Sequence, residues 1–295
     1  MRPISEITPG AEHETPPVSG LAAYLRKIRV NPQQHADDAL LSRLHEGHVR
    51  HIPFEMIDAF CGLQPLFDLD AVAQRLIFEP RGGGCTQMNG LFANMAEQLG
   101  FAVRRCLSRV NGKKASGAAT HMVLLIAEGG VMHLCDVGYG LAGPIQPIPL
   151  INGAVSDQGG GRFRAVQVDD EMWQIDRFEQ AGGWSTLYSL RTQSYPYIDF
   201  MAPHHFNCTS PRSPFTSSLV CARPTPDGGH LLLDKVLRHR DAQGACRRRL
   251  RTVRDLAAVL QASFGIALDA STLHLLGQRL GLSAAECALA REVLA

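Results

Sequence analysis

Apolar residues recur at helical spacing in the first third of the chain and at strand-like spacing after it. LAAYLRKI (21–28), HADDALLSRLHEGHVRHI (35–52) and LDAVAQRLI (69–77) carry apolar positions three and four residues apart, predicting helices. In TQMNGLFANMAEQLG (86–100), Met88, Leu91, Phe92, Met95 and Leu99 line one face before Gly100 ends the helix. From Phe101 the pattern changes. FAVRRCLSRV (101–110), HMVLLIAE (121–128) and VMHLCDV (131–137) are aliphatic runs separated by NGKKASG and the Gly129-Gly130 turn, which predicts an antiparallel sheet. RFRAVQV, EMWQIDRFEQ and WSTLYSLRTQ continue it, with QGGG and AGG as turns.

A Pro- and Ser-rich stretch from Pro203 to Ser217 precedes further strand-like pieces, SLVCAR and HLLLDKVLRHR, and two or three helices from about Val253 onward. The expected division is a disordered leader (1–18), a helical unit (19–100), a β unit (101–208) and a mixed α/β unit (209–295). No internal repeat or heptad run suggests a solenoid or coiled coil.

Composition narrows the function classes. Lys and Arg number 29 against 28 Asp and Glu, so no global field favours nucleic acid or an anionic membrane, and a small-molecule partner is expected. No apolar run approaches the roughly 20 residues that span a bilayer. Met1–Gly20 is polar and Pro-rich, without the apolar centre of a signal peptide, so a cytoplasmic protein is expected. The eight cysteines are scattered, without the paired spacing of a zinc or redox motif, and most should be reduced and buried.

Only Cys85 has a different neighbourhood. It ends RGGGC and opens the 86–99 helix, where the dipole and free N–H groups stabilise negative charge on sulfur. The glycines let a ligand approach closely; the alternative is an inert buried Cys beside a glycine turn. His121, starting HMVLLI, and Asp136, ending the next strand, can meet if those strands pair through the Gly129-Gly130 turn. A carboxylate on one imidazole nitrogen would then orient the other toward the thiol. Taken singly, a His at a strand start is more often structural and an Asp before a glycine turn more often a turn residue. Glu55 and Arg81 are the only charges in IPFE and RGGGC, and are expected to pair beneath the nucleophile loop.

The ordered blocks IPFE (52–55), RGGGCTQMNGLF (81–92), HMVLL (121–125), DVGYG (136–140) and TSPRSPF (209–215) resemble the arylamine N-acetyltransferases over roughly residues 20–265. The resemblance implies an α+β fold of three domains: a helical domain, a β-barrel domain and an α/β lid, with a cysteine-protease- and transglutaminase-like core. It implies Cys85 as acyl-accepting nucleophile, His121 as base and Asp136 as its orienting acid. The co-substrate would be acetyl-CoA, with no tightly bound cofactor or metal, and contacts to it at Thr209, Ser213 and Gly138. The acceptor would be an arylamine, arylhydroxylamine or arylhydrazine, with Phe54 and the region of Arg109 and Val110 as apolar walls. A macrolactam-closing amide synthase and a thiol hydrolase share the same triad and remain alternatives.

The chain departs from the family pattern at Gly84, where an aromatic is usual, at Thr86, at Met56 in place of Asn, and at His204 and Phe206. The small residues at 84 and 86 predict extra room beside the sulfur, and acceptance of propionyl or larger donors, unless Met56 or Met88 fills it.

Overall fold

The computed structural model describes residues 20–33, 40–110, 117–158, 161–180, 182–241 and 244–283. The 1–18 leader and all but the first residue of the expected last helix, SAAECALAREVLA, lie outside the described residues.

Five helices build the first unit: α1 (Leu21–Lys27), α2 (Leu40–His51), α3 (Ile57–Cys61), α4 (Leu69–Ala73) and α5 (Cys85–Gln98). A short strand, β1 (Phe54–Glu55), lies between α2 and α3. Helix α4 continues into a π-helical turn, Gln74–Phe78. Every residue of α5 from Cys85 to Ala96 is buried, so the helix is central rather than one-faced. Its N-terminus therefore opens inside the molecule.

The second unit is an eight-stranded antiparallel sheet. Its strands are β2 (Val103–Val110), β3 (His121–Glu128), β4 (Val131–Cys135), β5 (Ile148–Pro149), β6 (Val155–Asp157), β7 (Arg162–Gln167), β8 (Met172–Glu179) and β9 (Gly183–Arg191). The spatial order is β5-β4-β3-β2-β9-β8-β7-β6. The sheet curls toward closure, and beyond β5 the Gly153 N–H donates to the Ala165 carbonyl of β7 at 2.8 Å. Strand β3 is covered on both faces. Met122, Leu124 and Ile126 join the helical core, whereas Val123 and Leu125 join Trp173, Ile175 and Tyr188 inside the barrel. This two-residue alternation fixes its register between the two cores. Gly129 and Gly130 both have positive φ (59° and 77°), as a two-residue hairpin between β3 and β4 requires.

The third unit begins with α6 (Met201–Thr209) and α7 (Pro214–Ser217). The Pro- and Ser-rich stretch is thus largely helical: Pro203 falls in the first turn of α6 and Pro214 opens α7, where the missing N–H has no helical partner to lose. Tyr197, Phe200 and Cys208 join the helical core, although the sequence division grouped them with the barrel. Strands β10 (Val220–Thr225), β11 (Gly228–Leu233), β12 (Val236–Asp241) and β13 (Gly244–Arg249) follow. They form a sheet in the order β1-β10-β11-β12-β13, so the helical unit supplies its first strand. Helices α8 (Val253–Val259) and α9 (Ala270–Arg279) cover it, and Leu232, Leu256, Leu260 and Phe264 close a third core around Ile57 and Phe60 of α3.

Candidate active site

Cys85 is the first residue of α5, preceded by Gly84 in an extended conformation. Gln87 ties this turn down: its Oε1 accepts the Gly84 N–H (2.9 Å) and its Nε2 donates to the Leu66 carbonyl (2.8 Å). Beneath the loop, Arg81 donates from Nε to Glu55 Oε1 (2.9 Å) and from Nη2 to Asp58 Oδ1 (2.7 Å). The guanidinium meets Glu55 Oε1 with Nη2 (2.8 Å) as well as Nε, and bridges from there to the second carboxylate. Burial pushes the Glu55 carboxyl above its ordinary value against the Arg81 charge. Burial would raise Asp58 as well, but Arg81 and Arg75 hold it low.

The β3–β4 hairpin brings His121 and Asp136 together across their open ends. Leu124 lies opposite Cys135, and His121 Nε2 reaches Asp136 Oδ2 at 2.7 Å. His121 is also hydrogen-bonded to the Cys85 thiol, which leaves Nδ1 as the nitrogen facing sulfur. The Asp136 carboxylate is fully engaged. Its Oδ1 accepts from Asn89 Nδ2 and the Gly138 N–H, both at 3.0 Å. Asn89 also donates to the Met122 carbonyl (2.8 Å) and accepts from the Val137 N–H (3.0 Å).

Behind the hairpin stands His45 on α2. Its Nε2 accepts the Asp136 N–H (3.0 Å) while Nδ1 donates to the Ile145 carbonyl (2.8 Å), a pattern that assigns the neutral Nδ1–H tautomer. Burial lowers its pKa to about 4, in keeping with a neutral ring.

The electrostatics of the three groups are coupled. Burial would lower His121, but the Asp136 carboxylate and the Cys85 contact outweigh it and raise its pKa to about 10. Burial would raise Asp136, and His121, Asn89 and the Gly138 N–H hold it down. Burial would raise Cys85 too, yet the His121 hydrogen bond and charge bring it below its ordinary value. The other buried thiols go the opposite way: burial pushes Cys61 to about 11, Cys106 and Cys208 to about 12, and Cys135 and Cys221 up as well. Cys85 alone among these buried thiols is shifted toward its ionised form.

The remaining residues singled out from sequence are placed as follows. Gly138 packs directly on Cys85, and a Cβ there would stand 2.6 Å from the Cys85 Cα. Phe54 is buried, bridged to Gly83, and lines a small opening with Met88, Asp136, Gly140 and Ala222. Val110 is exposed at the end of β2, opposite Tyr188 and on the His121 face of the strand. Thr209 is exposed and donates to the His205 carbonyl (2.8 Å). Ser213 is buried, donates to the Asn207 carbonyl (2.6 Å) and caps α7. The room expected beside Gly84 is filled: Met56 Sδ would lie 2.5 Å from a Cβ at that position.

Four residues of the site escaped sequence reasoning. Asn89 was legible, since it lies four residues after Cys85 and shares its helix face. Asp58 carried a weaker signal, one turn beyond Glu55. His45 and Asn207, whose Nδ2 lies 4.0 Å from the Cys85 sulfur, come from distant helices with no local cue. Among the described residues, no group of three or more His, Cys, Asp or Glu side chains is arranged to hold a metal, and no helix is long and apolar enough to cross a membrane.

Residues 39–273 match the family model described as N-acetyltransferase, which fixes the class of enzyme. The chain is 30% identical over 250 residues to the arylamine N-acetyltransferase of Escherichia coli, spanning 83% of this chain and 88% of that protein. It is 32% identical over 255 residues to that of Mycobacterium tuberculosis, spanning 83% and 89%. The solved arylamine N-acetyltransferase of Mycobacterium abscessus superposes with a TM-score of 0.80 at 30% identity, covering 89% of this chain and 95% of that one. The Mycobacterium marinum enzyme in complex with CoA gives 0.79 at 27% identity, covering 88% and 98%. The chain belongs to the arylamine N-acetyltransferase family, and its helical domain, near-closed barrel and α/β lid are the three-domain fold of that family.

Proposed function

We propose that this enzyme acetylates arylamines, arylhydroxylamines or arylhydrazines from acetyl-CoA by double displacement at Cys85. One observation carries the mechanism: Cys85 opens the buried helix α5 beside His121, whose Nε2 lies 2.7 Å from the buried Asp136 carboxylate, and the imidazole lowers the thiol's pKa against burial. The Cys85 thiolate attacks the thioester carbonyl. Backbone N–H groups at the start of α5 receive the developing oxyanion. The carbon–sulfur bond to coenzyme A breaks, and the His121 imidazolium supplies the proton that neutralises the departing thiolate. The amine nitrogen then attacks the acetyl-cysteine, His121 takes its proton, and the bond to Cys85 breaks to release the amide.

Asn89 and His45 act through Asp136, by fixing its carboxylate and backbone. Phe54, which lines an opening with Asp136, and the rim around Val110, which lies opposite Tyr188, supply apolar wall for an aromatic acceptor. Thr209 is the exposed hydroxyl available to coenzyme A, whereas Ser213 fixes the turn beside it. Gly138 lets the donor approach by keeping the nucleophile's surroundings free of a side chain.

The test is intact-protein and peptide mass spectrometry after incubation with acetyl-CoA. A single acetyl group on Cys85, discharged by an added arylamine, is the expected result. Absence of the adduct overturns the mechanism. Release of free acetate without an amine makes the protein a hydrolase instead.

A further inference from the structure

One polar side chain reaches Cys85 from outside the helical unit and the β3–β4 hairpin. Asn207, on α6, is buried, with its Nδ2 2.9 Å from the Thr120 carbonyl and 4.0 Å from the Cys85 sulfur. Only the NH2 end of an amide can donate to a carbonyl, so Thr120 fixes which way the group is turned. The nitrogen, not Oδ1, therefore faces the sulfur. An NH2 group has two hydrogens, and Thr120 takes one of them. Among the described residues, the partner of the other is the Cys85 sulfur.

The amide is held from both ends. The Asn207 carbonyl accepts from Ser213 Oγ (2.6 Å), and Ser213 accepts the Phe215 N–H (3.2 Å) at the start of α7. At the other end the Thr120 bond ties α6 to the residue preceding His121. A separation of 4.0 Å is long for a hydrogen bond to the sulfur itself. It suits a different acceptor. An oxygen on a carbon bonded to sulfur lies about 2.6 Å from that sulfur, and donors to an oxyanion sit about 2.7–3.1 Å from the oxygen, so a donor roughly 4 Å from sulfur is within reach of it. A buried donor already in place needs no reorganisation when that charge develops, and its surroundings strengthen the bond.

We propose that Asn207 donates its second amide N–H to the oxyanion formed at Cys85, joining the backbone N–H groups at the start of α5. The proposal rests on acyl transfer through Cys85. A sulfur electron pair forms the new carbon–sulfur bond, and the carbonyl π pair moves to the oxygen, where Asn207 meets it. That pair returns as the bond to the donor's sulfur breaks, and the departing thiolate takes its proton from His121. The same donation recurs when the amine attacks the acetyl-cysteine.

The test sets acylation against alkylation. Both consume the Cys85 thiolate, but its attack on iodoacetamide displaces iodide and forms no oxyanion. In Asn207→Leu the rate constant for acetylation of Cys85, followed by rapid-quench mass spectrometry, should fall roughly a hundredfold with acetyl-CoA and equally with p-nitrophenyl acetate. The rate of carbamidomethylation and its pH inflection should stay at the parent values. Asn207→Ala should separate the two reactions in the same way, so that a poor fit of the leucine side chain does not decide the result. A parallel loss of acetylation and alkylation in both variants overturns the proposal, because Asn207 then only positions Cys85 or His121. Acetylation of Asn207→Ala at the parent rate also overturns it. So does a loss confined to acetyl-CoA, which would make Asn207 a contact for the rest of that donor. If neither donor acetylates Cys85 in the parent enzyme, the acyl-transfer reading itself falls.

Discussion

At the scale of single residues, the chemistry depends on how far His121 overrides burial at Cys85. A thiol reacts as thiolate, so a depressed pKa means alkylation that is already fast at pH values where an ordinary thiol, near ~8.5, is protonated. The rate of Cys85 carbamidomethylation should therefore rise through an inflection below that value. In His121→Gln the two lowering causes that come from the imidazole are gone, while burial and the Met122 backbone hydrogen bond remain, so the inflection should move up. An inflection that stays in place would show that the helix N-terminus, not the imidazole, ionises the sulfur. Gly138 makes a second residue-scale case. Because a Cβ there meets the Cys85 Cα at 2.6 Å and the Asn89 Nδ2 at 2.8 Å, Gly138→Ala must displace backbone, not a flexible side-chain end. We expect loss of at least about two orders of magnitude in kcat with the protein still folded, read by acetylation kinetics alongside circular dichroism.

At the scale of elements, helix α5 and the β3–β4 hairpin were legible because each carries its own local code. The apolar repeat after a glycine run announced α5, and paired glycines between two aliphatic runs announced the hairpin. What the sequence did not reveal was which element fills a gap. The loss of bulk at Gly84 pointed to open space, yet Met56, two residues along from Phe54 on another segment, places its sulfur where a side chain on residue 84 would go. Such compensation depends on a tertiary contact between segments 28 residues apart in sequence, and a flexible thioether leaves no periodic trace. The same reason hid His45, which meets Asp136 across 91 positions. The consequence for specificity is definite: Gly84 by itself does not enlarge the acyl site, so acetyl-CoA should be preferred over butyryl-CoA. Met56→Ala should narrow that preference, and Gly84→Tyr should be tolerated only when Met56 is also cut back. Equal butyryl transfer by the parent enzyme and by Met56→Ala would show that the thioether does not limit the acyl chain.

At the scale of the whole molecule, residues 54–61 stitch the three units together. The Glu55 N–H donates to the Gly83 carbonyl of the loop before Cys85, and the Met56 N–H to the Val220 carbonyl of the lid sheet. Phe54 and Met56 belong to the helical core, whereas Ile57, Phe60 and Cys61 belong to the lid core. The Arg81 guanidinium is fixed to this segment through Glu55 and Asp58, with side-chain exposures of 12%, 3% and 17%. Replacing Arg81 with Ala leaves a fully buried carboxylate without its main counter-charge, a change that typically costs roughly 3–5 kcal/mol. Because the segment is shared, that loss should not be confined to the loop. We expect two reporters to move together to lower denaturant in Arg81→Ala: fluorescence of the barrel's Trp173 and Trp184, and thiol labelling of Cys221 in the lid sheet. Arg81→Lys restores charge without the two-carboxylate fork and should recover only part of the shift. If Cys221 became reactive while the tryptophan signal stayed native, the lid would be an independent folding unit, and residues 54–61 would be a hinge and not a seam.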